Sequence, residues 1–411
     1  MTKKQNIFTK TFQSLGNRDY LFLWIGMICI MGGIQMQMIA RGYLVYDITS
    51  RPILLGIVNG ASAIPILVLS LHGGAIADRL NRKRMIQVGQ GVNVSIAVVI
   101  TILIITENIT WIHLMLASMF QGALWAFMMP ARQAIIPNIV GKDHLTNALA
   151  LNAAGMSAMT LLSPAFAGFL YNAFPSKPDA SGVYIVVTIL GFAAIFFTSL
   201  VKYTQTESTQ PKEKVTTDIK QGLTHILSNK MILVLLIIGI ITTVLAMPFR
   251  FLLPVFVVDI YQKGPEALGL LVSLMGLGSL AGSMFIAGLE KWNRGMILLS
   301  GSFLSGIGLL LIAILPFYLA ASFIMLILGL GDATRRTLNQ TMILEVVEDR
   351  FRGRVMSMFM MTFGLMPLGT LPAALSIELF GGQITAAILG LAMILVASVV
   401  TVSREDIRRF Q

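Results

Sequence analysis

Long apolar runs recur along nearly the whole chain, separated by short polar loops. They lie near 20–46, 52–77, 85–106, 111–140, 145–172 and 182–201, then 231–259, 267–289, 296–315, 318–345, 353–378 and 383–402. At about 1.5 Å per residue, a helix over each run crosses a hydrocarbon layer of about 30 Å. The runs are continuous and do not alternate, which predicts helices rather than barrel strands, since a helix satisfies its own backbone polar groups in lipid. The pattern therefore predicts an all-α membrane protein with about twelve transmembrane helices. One longer polar stretch, 202–230, divides the runs six and six. It predicts an N-terminal six-helix bundle over 1–201, a linker over 202–230 and a C-terminal six-helix bundle over 231–411. Ile219, Leu223, Ile226 and Leu227 give the linker one amphipathic face suited to the membrane surface.

Two charged loops sit 212 positions apart, each between the second and third runs of its half. One reads Asp78-Arg79-Leu80-Asn81-Arg82 and the other Glu290-Lys291-Trp292-Asn293-Arg294. Tyr46-Asp47-Ile48 and Val258-Asp259-Ile260 repeat at the same offset. Such internal repeats mark a membrane protein made of two related bundles with a path between them, and they point to transport. Spans 5 and 11 both carry helix-weakening residues, Pro164 and Gly168 in one, Pro367, Gly369 and Pro372 in the other. Membrane helices tolerate these as bends and close-packing points.

Composition agrees with this reading. Of 411 residues, 56% are hydrophobic and 12% charged, too apolar for a soluble domain of this length. The net charge of +11 is accounted for by topology, so no nucleic acid is required as a partner. Of 30 Lys and Arg, 22 fall in loops on the side of the termini, three on the other side and five inside spans. The positive-inside rule then puts both termini in the cytoplasm. Tyr46, Tyr171, Tyr184, Tyr261, Tyr318 and Trp111 fall at the opposite span ends, where an aromatic belt is expected. The single Cys29 lies in an apolar span, so neither disulfides nor a metal site are indicated. No nucleotide-binding loop or nucleophile motif stands out, and His72, His113, His144 and His225 are scattered. The expectation is a protein with no cofactor, embedded in a lipid bilayer; the sequence sets no oligomeric state, and a monomer is compatible with it.

The first loop, with its preceding glycine, reads Gly74-Ala75-Ile76-Ala77-Asp78-Arg79-Leu80-Asn81-Arg82-Lys83. It resembles the G-x-x-x-D-R-x-G-R-K signature of the major facilitator superfamily. Asn81 stands where glycine is usual, and both residues tolerate a left-handed turn. Two further stretches resemble the branch of the enterobactin exporter and the macrolide-efflux permeases. They are Pro130-Ala131-Arg132-Gln133-Ala134, and Asn339-Gln340 followed by Arg352-Gly353-Arg354. The resemblance implies alternating access around a central cavity, with Gly74, Asp78, Arg79, Arg82 and Lys83 as a cytoplasmic latch. Asp78 would face the start of span 11 near Arg350 and Arg352. Glu290, Asn293 and Arg294 form the second-half copy. No acid stands at the inner end of span 4 to pair with Arg82, Asp143 being the nearest.

Six ionisable residues lie well inside spans: Arg41, Arg132, Arg250, Asp332, Arg335 and Arg336, on spans 1, 4, 7 and 10 only. An Arg at the centre of a membrane helix costs at least about 2.5–3.5 kcal/mol, so each should face water, protein or substrate. With Gln35, Gln121, Asn339 and Gln340 they predict a polar, cationic pathway. Arg41 and Arg250 lie toward one mouth, and Arg132, Arg335 and Arg336 toward the other. Asp332, near the middle, is either a proton-coupling site or the partner of Arg335 and Arg336 in an intrahelical ion pair. Arg41 and Arg250 alternatively reach the headgroups, and the amides alternatively bind neighbouring helices. The abundant methionines, 25 in all, suit an adaptable lining or plain packing. The reading is an ion-gradient-driven exporter of bulky amphipathic or anionic small molecules, with H+ as coupling ion, in a bacterial cytoplasmic membrane. An uptake permease, a lipid flippase and a membrane-embedded transferase remain as alternatives.

Overall fold

A computed structural model describes residues 12–69, 81–141, 144–173, 180–203, 223–287, 293–348 and 351–410, and among these there is no strand. The first half contains α1 (Arg18–Thr49), α2 (Pro52–Leu69), α3 (Arg82–Ile105), α4 (Trp111–Val140), α5 (Leu145–Tyr171) and α6 (Ser181–Leu200). The second contains α7 (Lys230–Val255), α8 (Pro265–Ala287), α9 (Arg294–Ile314), α10 (Tyr318–Val346), a divided α11 and α12 (Gly382–Ser403). Among the described residues, eleven helices are long and apolar enough to cross a membrane. The eleventh run, expected as one span over 353–378, departs from the pattern. It forms two pieces, Arg352–Met361 and Pro367–Phe380, with a tighter turn over Thr362–Leu365. Pro367 supplies no N–H and begins the second piece, so the break falls where the ladder loses a donor.

Asparagine starts four of these helices. Asn17, Asn81, Asn229 and Asn293 each accept backbone N–H groups with the side-chain oxygen, at the N-termini of α1, α3, α7 and α9. Such caps satisfy donors that a helix cannot pair internally. The Asn81 backbone is extended (φ −63°, ψ 111°), so the left-handed turn that asparagine tolerates is not used there. The asparagine shared by the two loops is there as a helix cap.

Within the first half α1 packs on α5 and α6, and α3 on α4 and α6. Within the second, α8 packs on α10, α9 on α10 and α12, and α7 on α10 and α11. The halves meet through α5 against α8 and through α2 against α7 and α11. At the α5–α8 crossing the backbones nearly touch. A β-carbon on Gly269 would sit 2.2 Å from the Pro164 carbonyl oxygen, and one on Gly168 2.5 Å from that of Pro265.

Buried side chains form three cores. One, at the end away from the chain termini, unites both halves through Leu44, Val45, Tyr46, Leu55 and Tyr184 with Phe249, Phe256, Leu271 and Ala374. At the terminal end each half has its own core, Tyr20, Met27, Ile86 and Ile135 in one, Leu235, Leu298, Met342 and Ile407 in the other. Among the described residues the halves are thus fused at one end and separately packed at the other. Large apolar side chains such as Val99, Ile102, Phe166, Phe169, Leu379 and Val399 lie exposed on the outer surface. A soluble monomer rarely shows such a surface, whereas lipid requires one.

The aromatic belt takes a different form from that expected. Tyr46, Tyr171, Tyr184 and Tyr261 do lie at the end away from the termini, but they are buried in the shared core. Tyr43 stacks edge-on against Tyr171 at 5.0 Å between ring centroids. Packing between helices consumes the rings that sequence position assigns to headgroups.

Candidate functional site

The intramembrane polar residues gather into one group per half. In the first, the buried Arg41 of α1 donates from Nη1 to Gln121 Oε1 of α4 at 2.5 Å. Gln121 in turn donates to Gln37 Oε1 of α1, and to Asn93 Oδ1 of α3 at 3.4 Å. Gln37 is four residues before Arg41, so both reach the same face of α1. Arg41 forms no ion pair among the described residues, and its Nε finds no hydrogen-bond partner there. Gln35 is half-buried and stands outside this network.

In the second half, Arg335 of α10 donates from Nη2 to Asp332 Oδ1 at 2.6 Å and from Nη1 to Thr242 Oγ1 of α7, also at 2.6 Å. Asp332 and Arg250 face one narrow, open cleft with Phe249, Met275, Ser305 and Leu328 among its walls. Arg250 also faces a second narrow, open cleft, between the halves. That cleft takes Met38 and Gly42 from α1, Asn59 from α2, Pro254 from α7 and Val272 from α8. One guanidinium thus borders both spaces. Arg336 is exposed on α10, and Gln340 is half-buried.

Arg41, Arg335 and Arg336 border neither cleft, and two further expected pathway residues pack elsewhere. Arg132 is buried in the first-half core beside Tyr20 and donates from Nη2 to the Leu23 carbonyl of α1 at 3.3 Å. It joins α4 to α1 and borders neither cleft. Asn339 is buried against α7, where a β-carbon on Gly239 would come within 2.5 Å of its Nδ2. Among the methionines, Met38 and Met275 reach the clefts, while Met36 and Met128 are core.

Of the loop motifs, Gly74, Asp78, Arg79, Glu290, Arg350 and Asp143 lie outside the described residues. Arg82 donates to the Ala134 carbonyl of α4 at 3.0 Å. Its repeat mate Arg294 pairs with Glu345 of α10. Each half therefore ties the start of its third helix to the end of its fourth. The position 212 before Glu345 holds Gln133, and Arg82 reaches the backbone carbonyl of the next residue, Ala134. Lys83 Nζ reaches the Ser199 and Val201 carbonyls at 2.9 and 2.6 Å, a cation on the C-terminal end of α6.

Sequence reasoning missed the bonds that join the halves. Tyr46 donates to Asp259, Arg51 pairs with Glu378 at 2.9 Å, and the Ile53 N–H donates to the same carboxylate at 3.2 Å. Asn172 donates to Glu266 at 3.4 Å. In each of these links the second half supplies the acid. The repeat flagged Tyr46 and Asp259 as corresponding ends, but no periodic pattern tells which side chains meet across it. Asn59 was also missed, although it is the only amide in the apolar run 52–69.

Comparison with known proteins gives one answer at every level. The chain is 26% identical over 401 residues to the staphyloferrin A transporter of Staphylococcus aureus, covering 95% of each. It is 23% identical over 370 residues to macrolide efflux protein A of Streptococcus pyogenes, covering 87% of this chain and 89% of that one. It is 22% identical over 335 residues to the enterobactin exporter of Salmonella typhi, covering 80% and 76%. In fold it is similar to the nucleoside transporter NupG, with a TM-score of 0.73 at 14% identity over 94% of this chain and 98% of that one. A D-xylose-proton symporter gives 0.72 at 14% identity over 94% and 97%. The model of the transmembrane secretion effectors matches residues 9–411. The chain, a multi-pass membrane protein, belongs to that transporter family within the major facilitator superfamily.

Proposed function

We propose that the protein is a secondary active exporter of bulky amphipathic small molecules, anionic or phenolic, working by alternating access in a bacterial cytoplasmic membrane. The observation that carries this reading is the cationic excess inside the spans, with Arg250 bordering both clefts. Arg41, Arg250, Arg335 and Arg336 lie on α1, α7 and α10 with one interior acid, Asp332, itself bonded to Arg335. Cations this deep in a membrane protein are costly unless they meet water or a ligand, and their excess favours negative cargo.

The working units are two six-helix halves, 1–201 and 231–411, joined by 202–230. With both termini in the cytoplasm, the shared core is the outer seal and the separate cores flank the inner side. That is the form expected of a carrier closed outward. A transmembrane ion gradient supplies the energy, with H+ as coupling ion. Relatives named for a siderophore and for macrolides support export and a bulky cargo.

The test is retention of a panel of siderophores and macrolides in cells with and without the protein, with and without an uncoupler. Lower retention that the uncoupler abolishes is expected. No difference for any panel member would overturn the export reading and leave uptake or lipid movement to be tried.

A further inference from the structure

Asn59 is 3% exposed and its amide is only half satisfied. Its Nδ2 donates to the Phe251 carbonyl of α7 at 3.2 Å, while its Oδ1 has no partner among the described residues. Arg250, one residue before Phe251 in the chain, likewise has an unpartnered Nε. Both border the cleft between the halves. The remaining walls are Met38, Ile39, Gly42, Phe251, Pro254, Leu268 and Val272, none with a side-chain hydrogen-bonding group beyond a thioether. An amide oxygen needs a donor and a guanidinium needs an acceptor, and these walls supply neither. Buried polar groups left unpaired are costly, so their persistence here calls for an occupant.

We propose that this cleft is the subsite for the charged end of an anionic cargo. Arg250 takes the anion, and a hydroxyl or N–H close to that charge donates to Asn59 Oδ1. The proposal rests on the transporter reading but not on the direction of transport. A guanidinium fork suits a carboxylate or catecholate, and the lone amide oxygen selects anions that carry a neighbouring donor. Asn59, Met38 and Gly42 come from the first half, and Arg250, Leu268 and Val272 from the second. A bound anion therefore touches both halves. On its other side Arg250 shares a cleft with Asp332, whose bonded oxygen is taken by Arg335 and not by Arg250. Asp332 is then a nearby like charge to the cargo, so removing its charge strengthens anion binding.

The experiment is calorimetric titration of the full chain in nanodiscs with two probes. Citrate and tricarballylate carry the same three carboxylates, and only citrate has a hydroxyl. Citrate is expected to bind about tenfold more tightly, the effect of filling one otherwise unpaired buried acceptor. Asn59→Leu removes that preference and leaves tricarballylate unchanged. Asn59→Asp, which sets a carboxylate beside Arg250, weakens both probes and serves if the leucine variant does not fold. Arg250→Gln weakens both, and Asp332→Asn strengthens both.

Equal affinity for the two probes, binding of neither, or a citrate preference that survives Asn59→Leu overturns the subsite. So does unchanged or weakened binding in Asp332→Asn. Uncoupler-sensitive export with any of those results means the transporter reading holds and only the subsite fails. Loss of export with citrate selectivity intact means the reverse.

Discussion

At the scale of single residues, the bond from Tyr46 to Asp259 is the strongest candidate for holding the halves together. Both residues are at the edge of the shared core, and the acceptor is a carboxylate. A hydrogen bond to a charged group contributes about 1.5–3 kcal/mol, whereas an exposed pair such as Arg51 with Glu378 contributes about 0–1 kcal/mol. Tyr46→Phe should therefore shift the closed seal toward its open form by roughly ten- to a hundredfold. The readout is alkylation of Met38→Cys by an impermeant maleimide added outside, in a Cys29→Ser background. Tyr46→Phe should speed labelling, while an unchanged rate would mean that the apolar core alone keeps the seal. Single residues were also where sequence reading was least complete. Charge within a span singled out Arg41, Arg250, Asp332 and Arg335 as candidates, because ionised groups are rare in lipid. It could not separate them from Arg132, since a side chain bonded to a helix carbonyl and one facing a cleft look alike in a string of letters. Asn59 carries no charge and breaks no period, so nothing but its isolation marked it.

At the scale of elements, the crossing of α5 and α8 depends on absent side chains. A β-carbon on Gly269 would fall 2.2 Å from the Pro164 carbonyl oxygen, a backbone atom that cannot swing away. Gly269→Val should force the helices apart at a cost of about 1–3 kcal/mol or more. It should lower the melting temperature in detergent and abolish export. Gly91→Ala on α3 is the matched control, because a β-carbon there meets nothing within 4 Å. That substitution should be neutral or stabilising, by up to about 1 kcal/mol, as alanine favours helix over glycine. Equal melting temperatures for Gly269→Val and the parent would show that the α5–α8 contact is looser than its geometry. Elements were the most legible feature of the chain, since a membrane span is set by its own run of apolar residues. Trp111–Val140 matches its predicted run end for end, and most others agree within a few residues. The exception is α11, where hydropathy carries on through Gly364 and Pro367 but backbone hydrogen bonding does not. Asn81 and Asn293 were read for their place in a motif, and their work as caps became visible only with the helix starts.

At the scale of the whole molecule, charge decides which part of the driving force matters. Arg250 lines both clefts and the carboxylate beside it, Asp332, is bonded to Arg335, so on the proposed reading the cargo is negative. Moving one negative charge outward across a membrane that is negative inside is favoured by about 2.3 kcal/mol per 100 mV. Each proton entering in exchange adds the same electrical contribution, while a pH difference of one unit adds only about 1.4 kcal/mol per proton. An exporter of anions is thus electrogenic whatever its proton count. In proteoliposomes with an interior set equivalent to the outside of a cell, transport of an anionic panel member should follow a potassium diffusion potential imposed with valinomycin. Collapsing the pH gradient alone with nigericin should leave most of it. Two results would bear the other way: nigericin abolishing transport while valinomycin has little effect, or a neutral macrolide moving as well as the anion. Either would mean that the arginines balance charge within the protein, and that the cargo is chosen by the apolar walls of the clefts.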